Sequence, residues 1–136
     1  MMEKKLKHLD LIQGVITRMA GNSFYLKGWC VTVVAAILGL ASKDTNKKFL
    51  AVVYYPIIMF WIIDAYFLFQ EKLYRRLFND VRKIEEENID FSMDTHAYKG
   101  KEINWLGTMF SHTLLIFYGI MFLATLIAML ILSGIL

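Results

Sequence analysis

The sequence predicts an all-α membrane protein that forms one domain, residues 1–136, with three transmembrane helices. Hydrophobic residues make up 57% of the chain and the mean hydropathy is +0.48, whereas an ordinary soluble domain is about 45–50% apolar. The excess is concentrated in three blocks, each of which can approach the ~30 Å thickness of a bilayer's hydrocarbon at about 1.5 Å per residue. These blocks are residues 24–42, 49–70 and 105–136.

The distribution of positive charge predicts the orientation in the membrane. The chain has 15 Lys and Arg against 12 Asp and Glu, a net charge of +3. All but three of the basic residues precede residue 28 or lie between the second and third blocks. Because Lys and Arg accumulate on the cytoplasmic side, we expect the N-terminus and residues 71–104 in the cytoplasm and the C-terminus outside. Topology and contact with lipid headgroups account for the basic excess, and nucleic-acid binding is not expected.

The N-terminal residues 4–21 have the pattern of an amphipathic helix. Apolar side chains recur there at spacings of three and four, which is typical of a helix lying in the headgroup plane. Packing against the chain's own cytoplasmic segment is an equally supported alternative. Residues 21–23 (Gly-Asn-Ser) predict a break before the first span, with Asn22 or Ser23 as its N-cap.

The first span, residues 24–42, carries a stripe of small residues at steps of four, three, four and three. Helices in lipid associate through close backbone approach, so the stripe predicts helix packing. Cys30, the single cysteine, lies in this span and is expected to be a buried packing residue. The stripe consists of Gly28, Thr32, Ala35, Gly39 and Ser42.

The second span, residues 49–70, is rich in aromatic residues, and nothing in the sequence ends its helix at residue 70. The apolar pattern continues, so one helix over 49–87 is predicted, with its last third projecting into the cytoplasm. The apolar residues of that projection form a stripe along one side of the helix. Such a stripe predicts packing against a partner helix, most simply the same helix of another subunit. This predicted oligomer stripe consists of Leu73, Leu77, Val81 and Ile84.

Residues 88–104 form the only long irregular stretch, a predicted cytoplasmic loop. Asp90, Asp94 and His96 could in principle meet around a metal, but their spacing matches no established ligand pattern. Asx turns and a helix cap are therefore predicted, with no metal or other cofactor. The third span, 105–136, begins at Trp105, which suits the interfacial aromatic belt, and its first turns are expected in or above the interface.

Two opposite charges lie within the first two spans. If the turn at residues 43–48 folds between residues 45 and 46, positions whose numbers sum to 91 face each other, and Lys27 and Asp64 satisfy this rule. Because ionisable residues in a span are costly and usually paired or functional, we predict a structural ion pair between them. A proton or ion relay that includes Asp64, with His112 as the titratable residue of the third span, is the alternative.

Several segments resemble the RipA family of small bacterial membrane proteins: LIQGVITRMAGNSF at 11–24, LKGW at 26–29, residues 60–76, and DFSMD at 90–94. The resemblance covers about residues 10–95 and implies a bacterial inner membrane and a homo-octamer, but no substrate. It also implies a set of positions that matter. These are Asn22, Lys27, Trp29, Asp64, Tyr66, Gln70, Glu71 and Arg75.

The sequence holds no Gly-rich phosphate loop, His-Glu-x-x-His motif, cysteine pair or nucleophile elbow, and no enzyme activity is predicted. The leading hypothesis is a homo-oligomeric scaffold or envelope-associated assembly in contact with membrane lipids. A channel is the second hypothesis, although polar residues in the spans are few and scattered. A sensor that recruits a cytoplasmic protein through residues 71–104 is the third. Candidate channel linings are Tyr54, Tyr55, Asp64 and His112.

Overall fold

The computed structural model describes residues 3–43, 51–100 and 103–134, and these are helical apart from turns and short connections. Three helices are long and apolar enough to cross a membrane, which agrees with the predicted all-α fold and its three candidate spans. Most of the predicted turn at residues 43–48 lies outside the described residues. The four α-helices are α1 (Glu3–Ala41), α2 (Tyr54–Val81), α3 (Trp105–Met109) and α4 (His112–Leu132).

Helix α1 is continuous over 39 residues, a length of about 58 Å. The predicted break at residues 21–23 is therefore wrong, and neither Asn22 nor Ser23 is an N-cap. A glycine inside a helix costs only about 1 kcal/mol, and packing along α2 outweighs that cost. Residues 4–21 accordingly lie against the chain's own second helix, as in the alternative interpretation, and do not form a separate helix.

Helix α2 ends at Val81, six residues before the predicted end. The backbone tightens there, because the N–H groups of Lys83 and Ile84 donate to the carbonyls of Asp80 and Val81 at 3.1 and 3.0 Å. The chain then turns back toward α1 through a 3-10 turn at Glu86–Asn88.

The predicted oligomer stripe is covered within one chain. Leu73, Leu77 and Val81 are buried, and Ile84 is partly buried. Leu77 and Val81 pack against α1 in a cluster that we call the distal core. The prediction that this stripe packs against another subunit is therefore wrong. The stripe packs against α1 of the same chain, because the unbroken α1 places its N-terminal half alongside α2. The buried members of the distal core are Ile12, Ile16, Leu77 and Val81.

The return segment, residues 82–98, closes over the N-terminus of α1. The Glu86 carboxylate accepts hydrogen bonds from the backbone N–H groups of Lys4 and Lys5 at 3.0 and 3.4 Å. A carboxylate at this position satisfies two otherwise unpaired donors and complements the helix dipole. Nε2 of the buried His8 donates to the Ser92 carbonyl at 2.9 Å, which ties the segment to the second turn of α1.

Two Asx turns shape this segment, as predicted. Oδ1 of Asp90 accepts from the Ser92 N–H at 3.0 Å, and Oδ1 of Asp94 accepts from the His96 N–H at 2.9 Å. The predicted cap is also present, because Oδ1 of Asn104 accepts from the Gly107 N–H at the start of α3. Short polar side chains that bond their own backbone account for the irregular conformation.

The predicted third span is divided into α3 and α4 at residues 110–111. Two tryptophan side chains, one on α2 and one on α3, stabilise the helices on this side of the division. Nε1 of Trp61 donates to the Met109 carbonyl at 2.8 Å, and Nε1 of Trp105 donates to the Ile62 carbonyl at 3.2 Å. The first of these bonds satisfies a carbonyl that the break leaves without a helical partner.

A second cluster, the span core, joins α1, α2 and α4. It contains Cys30, which is fully buried as predicted. Large side chains of α2 and α4 surround it, and Tyr54 stacks on Phe122 with ring centroids 5.7 Å apart. The buried members of the span core are Cys30, Val34, Val53, Ile57, Ala65, Leu114 and Tyr118.

Candidate functional site

Antiparallel packing of α1 and α2 places the charges of Lys27 and Asp64 in contact. Nζ of Lys27 lies 2.6 Å from Oδ2 of Asp64, in agreement with the register expected from the hairpin. The buried face of α1 includes Ser23, Cys30 and Val34, and Lys27 falls between them at helical spacing. The same periodicity that buries apolar residues therefore turns Lys27 toward α2.

Asp64 is fully buried and accepts hydrogen bonds from three side chains. The Ser23 hydroxyl donates to Oδ1. The Lys27 ammonium and the Tyr118 hydroxyl donate to Oδ2 at 2.6 and 2.8 Å. Donors from two helices, α1 and α4, thus meet one carboxylate on α2, and both of its oxygens are occupied. We call Ser23, Lys27, Asp64 and Tyr118 the Asp64 network.

Lys27 has further partners within the same network. Its Nζ donates to the Ser23 hydroxyl oxygen at 2.8 Å and lies 5.8 Å from the centroid of the Phe117 ring, a distance that permits a cation–π contact. Only 19% of the Lys27 side chain is exposed. The ammonium is therefore held by a carboxylate, a hydroxyl and a ring face.

The contact between Ser23 and Lys27 has the residue types of a serine–lysine nucleophile pair, but its geometry does not support that chemistry. The Ser23 hydroxyl donates to Asp64, and Lys27 is engaged in the ion pair. Ser23 also lies inside α1, where the backbone N–H groups are bonded along the helix. Acyl transfer needs free donors for an oxyanion beside the nucleophile, and this site offers none among the described residues.

Tyr118 and Ser23 were missed by reasoning from the sequence. Tyr118 is the only tyrosine in α4, and a buried tyrosine hydroxyl usually finds a hydrogen-bond partner. That fact could have directed attention to it, but the sequence does not tell which helix supplies the acceptor. For Ser23, the predicted helix break obscured its place on the face that includes Lys27, one turn away.

The Asp64 network lies well inside the apolar part of both helices. On α1 the nearest charged residue toward the N-terminus is Arg18, nine residues or about 14 Å from Lys27. On α2, Glu71 is seven residues or about 10 Å from Asp64. Lys43 lies about 24 Å from Lys27 in the other direction. Burying ions at this depth is favourable only where their hydrogen-bonding groups are satisfied, and the observed network meets that condition.

The other candidate residues for an ion path are not brought to this site by any described contact. His112 begins α4 and is exposed. Tyr55 is 68% exposed, and Tyr54 packs against Phe122. The residues proposed as channel linings therefore do not form a lined path within the chain.

The positions implied by the family resemblance lie at three places on α1 and α2. Asn22 and Trp29 line a groove on the surface of the hairpin. Tyr66 contacts Trp105 with ring centroids 5.5 Å apart. Glu71 is buried and accepts a hydrogen bond from Nη2 of Arg75 at 2.9 Å, and Gln70 before it is half-buried. Only Lys27 and Asp64 of this set belong to the Asp64 network.

The small-residue stripe of α1 faces away from the chain's own helices. All five of its residues are exposed, whereas α1 packs through the opposite face. The two hydroxyls on the stripe bond to their own helix: Thr32 Oγ1 donates to the Gly28 carbonyl at 2.9 Å, and Ser42 Oγ to the Gly39 carbonyl at 2.7 Å. The result is a smooth face without unpaired hydroxyl donors, and it packs against none of the residues that the structure describes.

Within the described residues, no group of three or more His, Cys, Asp or Glu side chains is arranged to hold a metal ion. Asp90 and Asp94 instead bond the backbone of their own loop.

Comparisons of the chain with protein-family models, with curated proteins and with solved structures found no match.

Proposed function

We propose that the chain is a non-enzymatic membrane scaffold that assembles through copies of itself. The observation that carries the proposal is the free small-residue face of α1, which spans the membrane-length part of the helix. Small residues at this spacing favour helix association in lipid by allowing close backbone approach. Together with the distribution of positive charge and the resemblance described above, this supports a homo-oligomer, an octamer by the resemblance, in a bacterial inner membrane.

Two glycines of this face give a direct test. A Cβ added at Gly28 or Gly39 meets nothing within 4 Å, so leucine at both positions leaves the single chain unstrained and separates neighbouring copies. We expect Gly28→Leu combined with Gly39→Leu to convert the oligomer to smaller species in size-exclusion chromatography with light scattering. Gly119→Leu is the matched control, because Gly119 on α4 is equally open. A monomeric wild-type protein, or an assembly unchanged in the double variant, would refute the proposal.

Asp64 is proposed to be structural and not a relay. A relay group must exchange partners, whereas both Asp64 oxygens are bonded, by three donors from α1 and α4. We expect no proton flux in liposomes reconstituted with the wild-type protein, and none with Asp64→Asn at matched insertion and oligomer size. Flux in the wild type that disappears in the variant would instead establish a channel with Asp64 in its path.

Recruitment of a cytoplasmic protein through residues 71–104 is less well supported. Leu73, Leu77 and Val81 are buried in the chain itself, and Glu86 and Ser92 bond to α1. The contacts that a partner would need on the apolar side of this segment are already made within the chain.

A further inference from the structure

A groove lies between α1 and α2, on a face that neither packs inside the chain nor carries the small-residue stripe. Its volume is about 260 Å³. The aromatic side chains that border it are largely open, with Tyr25 66% and Trp29 62% exposed. Asn22 is the only amide among the residues that line it. The lining consists of Asn22, Tyr25, Leu26, Trp29 and Phe67.

The residues of α1 at this groove continue a row that ends in a positive charge. Arg18, Asn22, Tyr25 and Trp29 follow one another at steps of four, three and four, so they lie on one face of the helix. Arg18 is exposed and forms no ion pair with the residues that the structure describes. The face therefore changes in order from a guanidinium to an amide to aromatic rings.

This order of groups matches a phospholipid. From Arg18 to Trp29 is eleven residues, about 16 Å along the helix axis. Over the same distance, one leaflet of a bilayer changes from a charged headgroup layer of about 5–8 Å to hydrocarbon. Guanidinium groups bind phosphate with charge-assisted hydrogen bonds, and basic pockets between transmembrane helices bind anionic headgroups.

We propose that this groove is a binding site for one phospholipid with an anionic headgroup. Arg18 binds the phosphate, the Asn22 amide donates to an ester carbonyl, and the first part of one acyl chain lies against Tyr25, Trp29 and Phe67. The site is independent of the proposed scaffold function, since it uses a different face of α1 from the stripe that joins copies.

Native mass spectrometry of the detergent-purified full-length protein, mixed with phosphatidylglycerol, tests the site. It reports the number of bound lipids and the number of chains in the same spectrum. We expect one phosphatidylglycerol retained per chain, and about a tenfold or greater loss of retention in Arg18→Gln, as for a hydrogen bond between charged groups. Trp29→Ala should also weaken retention, because it removes the wall of the acyl-chain site without touching the headgroup.

Two matched variants control for charge and for exposed apolar surface. Arg82→Gln removes an exposed guanidinium outside the groove, and Ile120→Ala removes an apolar side chain that is 60% exposed on α4. Both should retain lipid as the wild type does. Equal retention in Arg18→Gln, Trp29→Ala and the controls would overturn the proposal. The proposal would also be overturned if Arg18→Gln or Trp29→Ala reduced the number of chains in the assembly but left the number of lipids per chain unchanged. That result would mean that a second copy covers the groove.

Discussion

At the scale of single residues, one carboxylate connects the three long apolar helices. Transfer of an ion pair from water into a low-dielectric interior costs several kcal/mol per ion, and it is offset only when geometry is favourable and the remaining hydrogen-bonding groups are satisfied. Asp64 meets this condition, with Ser23 on one oxygen and both Lys27 and Tyr118 on the other. The network thus fixes the register of α1 against α2 and holds α4 beside them.

Removing both partners of the ion pair should destabilise the protein by less than the sum of removing each partner alone. Lys27→Met or Asp64→Asn alone leaves a charge or a polar group without its partner, at a cost of about 3–5 kcal/mol for a buried pair. The lower end is expected for the Asp64 variant, because part of the Lys27 side chain reaches solvent. Lys27→Met combined with Asp64→Asn should cost clearly less than the sum of the two single changes. Denaturant unfolding in detergent micelles measures all four proteins, and strict additivity would show that the charges do not interact.

At the scale of elements, the hairpin was predictable because its determinants are local and periodic. Three apolar blocks determined the number of spans, and the short turn set the register that pairs Lys27 with Asp64. The unbroken α1 was not predictable, because Gly21 and Asn22 are unfavourable in a helix and only their packing along α2 compensates. The end of α2 at Val81 was missed for a related reason: nothing nearby in the sequence shows that Glu86 returns to bond the N-terminus of α1.

The return segment makes a pH-dependent contact with α2 through Tyr98. Burial, a hydrogen bond to Asp80 and the charge of Asp80 raise the pKa of Tyr98 from 10.0 to about 12, while Arg76 acts in the opposite direction. Because the folded-state pKa is the higher one, the stabilisation is complete below about pH 10 and is lost as pH rises toward 12. The difference between ultraviolet phenolate titrations of the wild type and Tyr98→Phe should show one tyrosine that ionises near pH 12.

Asp80→Asn provides the matched comparison for this contact. It keeps a hydrogen-bond acceptor but removes the negative charge, so the pKa of Tyr98 should fall part of the way toward 10.0. A difference titration with its midpoint already near pH 10 in the wild type would mean that the segment does not pack on α2 in solution.

At the scale of the whole molecule, the contacts divide into two regions along the α1–α2 pair. The span core and the Asp64 network hold three helices together where the sequence is apolar. The distal core and the return segment hold the charged ends of α1 and α2. The aromatic groove and the small-residue stripe occupy separate outer faces, so the proposed lipid site and the proposed contact between copies do not compete.

Exposed residues near the ends of the long helices give a test of topology, because a helix that crosses the bilayer places its two ends on opposite sides of the membrane. Cys30 is the only cysteine and is buried, so Cys30→Ala gives a background for single exposed cysteines. With the N-terminus in the cytoplasm, as the distribution of Lys and Arg favours, Lys43→Cys and Ser133→Cys should react with an impermeant maleimide in spheroplasts. Lys7→Cys and Lys99→Cys should react only in inverted vesicles. Labelling of Lys7→Cys and Lys43→Cys from the same side would show that α1 does not cross the bilayer, and the register argument for the ion pair within the membrane would fail with it.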